Sequence, residues 1–447
     1  MTRERKLLLG ALGAWLVVEI VMLVAPLHLG HDEAQYALAA RGDHEWQYVS
    51  PGTVAIARVG VALGASDLAL RLLPALLSLA FVLAVWLAGR VAFGERTGAL
   101  AAAVMAGAHP LALRGTELLS DFPSAACLLA GIALLARELS RDGGPSWRLV
   151  GTAPLFAGAF YIRYGHAPVI ALASITAALL WWRAVIVRPL RVVATLALFV
   201  LLLVPHALHS LDATGSVIGV LELSRQMPST GRTAGGLIDY VTANPLAMFG
   251  ALVAPLLVVG VYALVALPRR VAVLYGAVAI GQLVIVGMTG SAQPRYVCVA
   301  AALLVACSLE VVARALDTRP KLGRVALAAI ACTWLYDVAV AWPVNARRER
   351  ARAPLAVAAA AIARDAAGAP CLVGGTELTL VMWESRCEGA YTKPPYYEWP
   401  HGPRHYVIAQ EPSDVVDVAG IAAVQHESAI ALPLPWGTVH AWRLTSP

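Results

Sequence analysis

A succession of long apolar runs constrains this chain more than any other feature. Leu7–Pro26 and Leu68–Trp86 are the clearest of them. A helix needs roughly 20 apolar residues to cross the hydrocarbon of a bilayer. No water reaches that layer to satisfy backbone groups, so such runs must be helical. Period-two alternation is missing, which excludes a transmembrane barrel. Charged residues make up only 14% of the chain, against about 25% in soluble domains.

The runs predict helices at 7–27, 68–90, 97–113, 121–139, 149–164, 166–183, 191–208, 245–267, 271–288, 296–313 and 325–342, about eleven spans. The basic start, Thr2 to Lys6, leads into a run with no small-residue cleavage site, so it reads as the first anchored helix. One set of alternate loops holds Arg3, Arg5 and Lys6, then Arg90 and Arg96, Arg137 to Arg148, Arg183 to Arg191, Arg269 and Arg270, and Arg314 to Arg324. The opposite set is poorer in basic residues. The positive-inside rule then places the N-terminus in the cytoplasm and the C-terminus outside the plasma (inner) membrane. Arg347, Arg348 and Arg350 run against this pattern, but they begin a long segment, and long segments translocate largely regardless of charge. The net charge of +6 is thereby assigned to topology, and no nucleic-acid partner is expected.

Residues 345–447 differ from the rest: apolar runs are short and turn residues frequent. A helix over Ala351–Ala366 and strands at Cys371–Val373, Tyr406–Ala409 and Val439–Leu444 suggest a small α/β domain on the outer face. The expected architecture is therefore mostly α, with a polytopic domain over 1–344 and an extracytoplasmic α/β domain over 345–447. No internal repeat supports an inverted-repeat transporter. Cys371 and Cys387 are the only cysteines of the outer segment, where disulfides form, so a bridge between them is expected. No Cys or His spacing matches a metal motif, and no cofactor is indicated.

The outer loops carry the residues of chemical interest. His31-Asp32-Glu33 follows the first span, with Tyr36 one turn later. An acidic pair there suits either proton chemistry or an ordinary helix N-terminus. Asp121 opens a span in Ser120-Asp121-Phe122-Pro123, a pattern that helix capping alone would explain. Arg163-Tyr164 and Arg295-Tyr296 lie at matching depth on the same side. Lone arginines there would anchor to headgroups. As a set they suggest phosphate recognition, because the planar guanidinium grips phosphate oxygens in pairs. The aromatic stretch Tyr391–Trp399 reads as a Pro-rich structured loop or a sugar-stacking surface.

Taken in order, these motifs resemble the GT-C glycosyltransferases, and within them the protein O-mannosyltransferase and lipid A aminoarabinose transferase group. Matching features are Asp32-Glu33-Ala34-Gln35-Tyr36 after the first helix, a Pro-containing segment at Pro51, Asp121-Phe122-Pro123, Arg163 closing a helix, Arg295-Tyr296 opening a late one, and the C-terminal outer domain. The chain departs from the group by a single Pro51 in place of a double proline, and by Arg163-Tyr164-Gly165 in place of Arg-Pro. The resemblance implies a polyprenyl-phosphate sugar donor in the bilayer and a hydroxyl acceptor on a glycan, lipid or protein. It implies Asp32 as general base with Glu33 and Asp121 assisting, Arg163, Arg295 and Tyr296 on the donor phosphate, and His31, Tyr36 and Tyr164 on substrate. The rival readings are a transporter, which would need charges inside the spans, and a non-catalytic assembly protein.

Overall fold

A computed structural model describes residues 3–24, 28–43, 49–226, 236, 240, 242, 245–267, 269–288, 293–375, 378–389, 404–409, 425–434 and 437–445. The helices in chain order begin with α1 (Arg3–Val24), α2 (His31–Arg41), α3 (Pro51–Ala62), α4 (Asp67–Phe93), α5 (Glu95–Ala106) and α6 (His109–Arg114). They continue with α7 (Asp121–Leu139), α8 (Thr152–Ile162), α9 (Ala167–Leu180), α10 (Trp182–Val187), α11 (Pro189–Thr214) and α12 (Gly219–Gln226). Four long helices follow, Pro245–Ala266, Arg270–Gly287, Cys298–Thr318 and Pro320–Ala366, then a short one at Leu378–Ser385.

Among the described residues, eight helices are long and apolar enough to cross a membrane. Within the described residues every predicted span is helical, but three take a shorter form. The 97–113 run is divided into α5 and α6, because Gly107 and Ala108 leave the helix before Pro110 restarts it. The 149–164 run starts as a 3-10 turn, Trp147–Gly151, before α8, and the 166–183 run is the 14-residue α9. Pro343 and Pro354 do not stop the last long helix, so the predicted 325–342 and 351–366 segments are one helix.

The chain divides into two compact units. The first comprises 1–24, 47–53 and 72–342. Its centre is Cys298–Thr318, apolar on every face, with 89% of its apolar window buried, whereas α11 has only 6% buried and turns its Leu and Val side chains outward. That contrast distinguishes a bundle-core helix from a lipid-facing one. Among the described residues of this unit, Glu19, Asp337 and Glu310 are buried carboxylates inside long helices, away from the helix ends where most charges were expected. Glu19 of α1 lies 2.8 Å from the Ser78 hydroxyl of α4, which also accepts from Trp15 Nε1 at 2.9 Å. Asp337 accepts from the backbone N–H of Ala251 (2.8 Å) and Leu252 (3.1 Å). Those donors are exposed because Pro245–Ala266 breaks at Gly250, with φ +80°. Glu310 accepts from Thr97 at 2.9 Å and pairs with Arg314. Each is engaged in a local structural bond.

The second unit comprises 25–46, 54–71 and 343–447. Asp32 therefore falls in the same unit as the C-terminal segment. Its five-stranded sheet has the order β2-β1-β3-β5-β4, with β1 (Cys371–Gly375), β2 (Glu388–Gly389), β3 (Arg404–Ala409), β4 (Gln425–Leu434) and β5 (Gly437–Thr445). β1 runs parallel to β2 and β3, and β5 antiparallel to β3 and β4. The three predicted strands are β1, β3 and β5. β4 escaped because it carries His, Glu and Ser, and Pro433 near its end, which an edge strand tolerates. Cys371 and Cys387 are joined in a disulfide. The aromatic stretch 391–399 lies outside the described residues.

Candidate active site

The acidic pair occupies the first turn of α2. Gly30 ends the incoming chain in an extended conformation, and its N–H donates to Glu33 Oε2 at 2.7 Å. This is the reach-back half of a capping box. Ala34, Ala37 and Leu38 bury one face of the helix completely. Gly42, in the left-handed region, ends it.

The two acids of the pair have different surroundings. Glu33 is 1% exposed and sits between two guanidinium groups, Arg71 at 3.4 Å from Oε1 and Arg352 at 3.4 Å from Oε2. Both arginines also donate to the His28 carbonyl, at 3.2 and 2.7 Å. Burial alone would raise the Glu33 carboxyl; Arg71 and then Arg352 outweigh it and hold the group below the usual glutamate range. Asp32 is only half-buried, as is Tyr36, which stands one helical turn on and so on the same side. His31 is exposed, and its ring Nδ1 and carbonyl both engage Thr379, at 3.1 and 2.9 Å.

A second group forms within the first unit. Asp121 begins α7 and is 2% exposed. Ser120 makes no side-chain cap, so the capping explanation fails here. The Asp121 carboxylate instead pairs with Arg163 and lies 3.7 Å from Arg295 Nε. Arg163 closes α8 in an extended conformation and also donates to Ser120 Oγ at 3.2 Å. Its guanidinium lies 4.3 Å from the Tyr296 ring centroid, and that of Arg295 lies 5.1 Å from the same centroid. Arg295 is further held by Gln293 Oε1 at 2.7 Å. The Gln293 backbone exchanges hydrogen bonds with the Tyr240 hydroxyl at 3.0 and 3.1 Å. Both arginines therefore turn inward, and the headgroup-anchor explanation does not describe them.

Two features hold Arg163 in place. The Thr53 hydroxyl donates to the Ile162 carbonyl at 2.8 Å, and Gly52 lies so close to α8 that a Cβ there would stand 2.8 Å from the Ile162 nitrogen. The Pro51-Gly52 segment of the sequence thus seats the end of α8. Buried His166 meets Ser124 of α7 at 3.0 Å, which ties the chain after Arg163 to the helix that carries Asp121. Tyr164 is buried against Phe160 and His206, with ring centroids at 5.2 and 5.0 Å.

The sequence reading omitted Arg71, Arg352, Ser124, His166 and Tyr240 from the site. Arg71 had a legible signal, a charge inside an apolar run. Tyr240 had none, being an isolated aromatic in a polar stretch.

Residues 49–209 match the family model described as dolichyl-phosphate-mannose-protein mannosyltransferase. No curated protein sequence matches the chain. Among solved structures, ArnT from Cupriavidus metallidurans bound to undecaprenyl phosphate is 18% identical, with a TM-score of 0.70 over 97% of each chain. The apo state of ArnT gives 17% identity and 0.72, over 99% of this chain and 98% of that one. The Archaeoglobus fulgidus oligosaccharyltransferase, solved in complex with Zn and sulfate, is 15% identical, with a TM-score of 0.62 over 86% of this chain and 62% of its own.

Proposed function

We propose that this chain is a membrane glycosyltransferase of the GT-C type, as the family match over 49–209 and the fold support, and that it moves a sugar from a polyprenyl-phosphate donor to an acceptor hydroxyl on the outer membrane face, with inversion. The observation that carries the reading is the Arg163–Arg295–Tyr296 group around Asp121. It brings two guanidinium groups together beside one carboxylate and one aromatic ring, and the planar guanidinium is the side chain suited to phosphate oxygens. ArnT, which shares the fold, binds a ligand of this chemistry, undecaprenyl phosphate. The N-terminus is cytoplasmic in this reading, and the three shorter helices complete eleven passes.

Asp32 is the general base. It keeps access to its surroundings while its neighbour is buried, and it takes the proton of the acceptor hydroxyl as that oxygen attacks the anomeric carbon. The electron pair of the breaking glycosidic bond goes to the donor phosphate. Negative charge grows there, and Arg163 and Arg295 stabilise it. Asp121 orients the two arginines, and its buried, ion-paired carboxylate suits that role better than nucleophilic attack. A retaining route would need a free second carboxylate. Glu33 fixes α2 and does not touch substrate. The acceptor hydroxyl belongs to a glycan, a lipid or a protein.

The test is consumption of a polyprenyl-phosphate sugar by the purified protein. Asp32→Asn preserves shape and removes basicity, so turnover should fall about 10²–10⁴-fold while insertion is unchanged. Near-wild-type turnover by this variant removes Asp32 from the mechanism, and no donor use by the wild type overturns the donor.

A further inference from the structure

Four titratable side chains in the second unit have no part in the reading above. Nδ1 of His28 lies 3.5 Å from Asp67 Oδ2 and 3.6 Å from Glu384 Oε1. One ligand atom from each of the three residues falls within 4.8 Å of the others. Among the described residues, Nδ1 has no hydrogen-bond partner, and it is screened from solvent. On the other side of the ring, Glu349 Oε1 stands 3.7 Å from Nε2. The second oxygen of Glu349 accepts from the His28 backbone N–H at 2.9 Å.

An imidazolium clasped by carboxylates draws them to about 2.7–2.9 Å. The separations at Nδ1 are well beyond that. They match another geometry: donors about 2.1 Å from a central tetrahedral ion stand about 3.4 Å from one another. The donor set also fits, since one neutral imidazole and two carboxylates balance a dication. Three protein ligands leave a fourth position for water. Glu349 stands 3.7 Å from the non-ligating Nε2, on the side from which a carboxylate orients a metal-bound histidine.

We propose that His28, Asp67 and Glu384 bind a divalent metal ion of the zinc type through Nδ1, Oδ2 and Oε1, with Glu349 orienting the imidazole. The ligands come from the loop after α1, the first residue of α4 and the short Leu378–Ser385 helix, so no sequence spacing reveals them. The metal pins the loop that leads into α2, only four residues before Asp32. The proposal is independent of the donor and acceptor chemistry.

The experiment uses the full-length protein in detergent, stripped with a chelator and dialysed against Zn²⁺. Bound zinc is read by elemental analysis and by the shift in thermal unfolding. The expected result is one zinc per chain and a higher Tm with zinc. Asp67→Asn with Glu384→Gln should abolish both effects, and Glu349→Gln should weaken zinc binding about 10–100-fold. Zinc should also protect wild-type His28 from diethylpyrocarbonate, a readout that stands if the variants fail to fold. A wild type that binds no stoichiometric zinc, a double variant that retains it, or unprotected His28 would overturn the site in favour of a simple ion-pair cluster.

Discussion

The guanidinium of Arg163 lies 4.3 Å from the ring centroid of Tyr296. These residues are 133 positions apart, at the end of α8 and in the turn before Cys298–Thr318. A cation stacked on a ring keeps its N–H fork in a defined plane, where it can face an anion from the edge. Lysine cannot reproduce that geometry. Arg163→Lys and Arg295→Lys should each raise the KM for the lipid-phosphate donor at least tenfold, with the acceptor KM little changed. Steady-state kinetics varying each substrate in turn decides the matter, and normal donor use by both lysine variants would remove the phosphate role.

Glu33 carries a different expectation. Its removal leaves Arg71 and Arg352 as buried cations without their shared carboxylate, so Glu33→Gln should destabilise the protein by about 3–5 kcal/mol. Because the folded-state carboxyl is depressed, its contribution is full above the ordinary glutamate range. It disappears as the pH falls through the depressed value. Thermal unfolding from neutral to acid pH should show the wild-type advantage over Glu33→Gln shrinking toward the acid end. A constant difference would contradict the ion pairing.

The Cys371–Cys387 bridge closes a loop with a sequence separation of 16. In the chain-entropy model that is about 3 kcal/mol. Cys371→Ser should lower the unfolding temperature by as much as reduction does in the wild type, and reduction should add nothing to the variant. Free thiols at both Cys371 and Cys387 in the non-reduced wild type, located by mass spectrometry of the alkylated protein, would refute the pairing.

At Gly250 an added Cβ would collide with the Asp337 carboxylate, and the positive φ disfavours any side chain. Gly250→Ala should therefore reduce the yield of folded protein more than Gly13→Ala, where an added Cβ meets nothing within 4 Å. Monodisperse yield in detergent measures it.

Accessibility labelling of single-cysteine variants tests topology. Position 32 should react from outside and position 319 only after permeabilisation. The reverse pattern would put the acidic pair in the cytoplasm and end the proposed orientation.

The helices were legible because bilayer spanning leaves so strong a mark on composition: 121–139 agrees to the residue with α7. α3 was missed because it is only 12 residues long and follows a polar stretch, although it is apolar. For the site, Asp121, Arg163 and Arg295 could be named from position and chemistry, but their convergence could not. It depends on how α7, α8 and the Pro294–Val297 turn pack, and no local pattern encodes that. The partition of Asp32 from Glu33 was hidden for the same reason. Both arginines that claim Glu33 lie remote in sequence, Arg71 near the start of an apolar helix and Arg352 just beyond the basic cluster Arg347 to Arg350.

The burial of Glu33 bears on why the order of the two acids matters. Successive helical residues are about 100° apart around the axis. With the second acid locked to its arginines, α2 cannot roll, and the first acid acquires a fixed bearing. The length of the second side chain is matched to this task, since an aspartate at position 33 would fall one methylene short of Arg71 and Arg352. Asp-Glu and Glu-Asp have the same charge and the same composition, yet only the first gives the helix this buried keel.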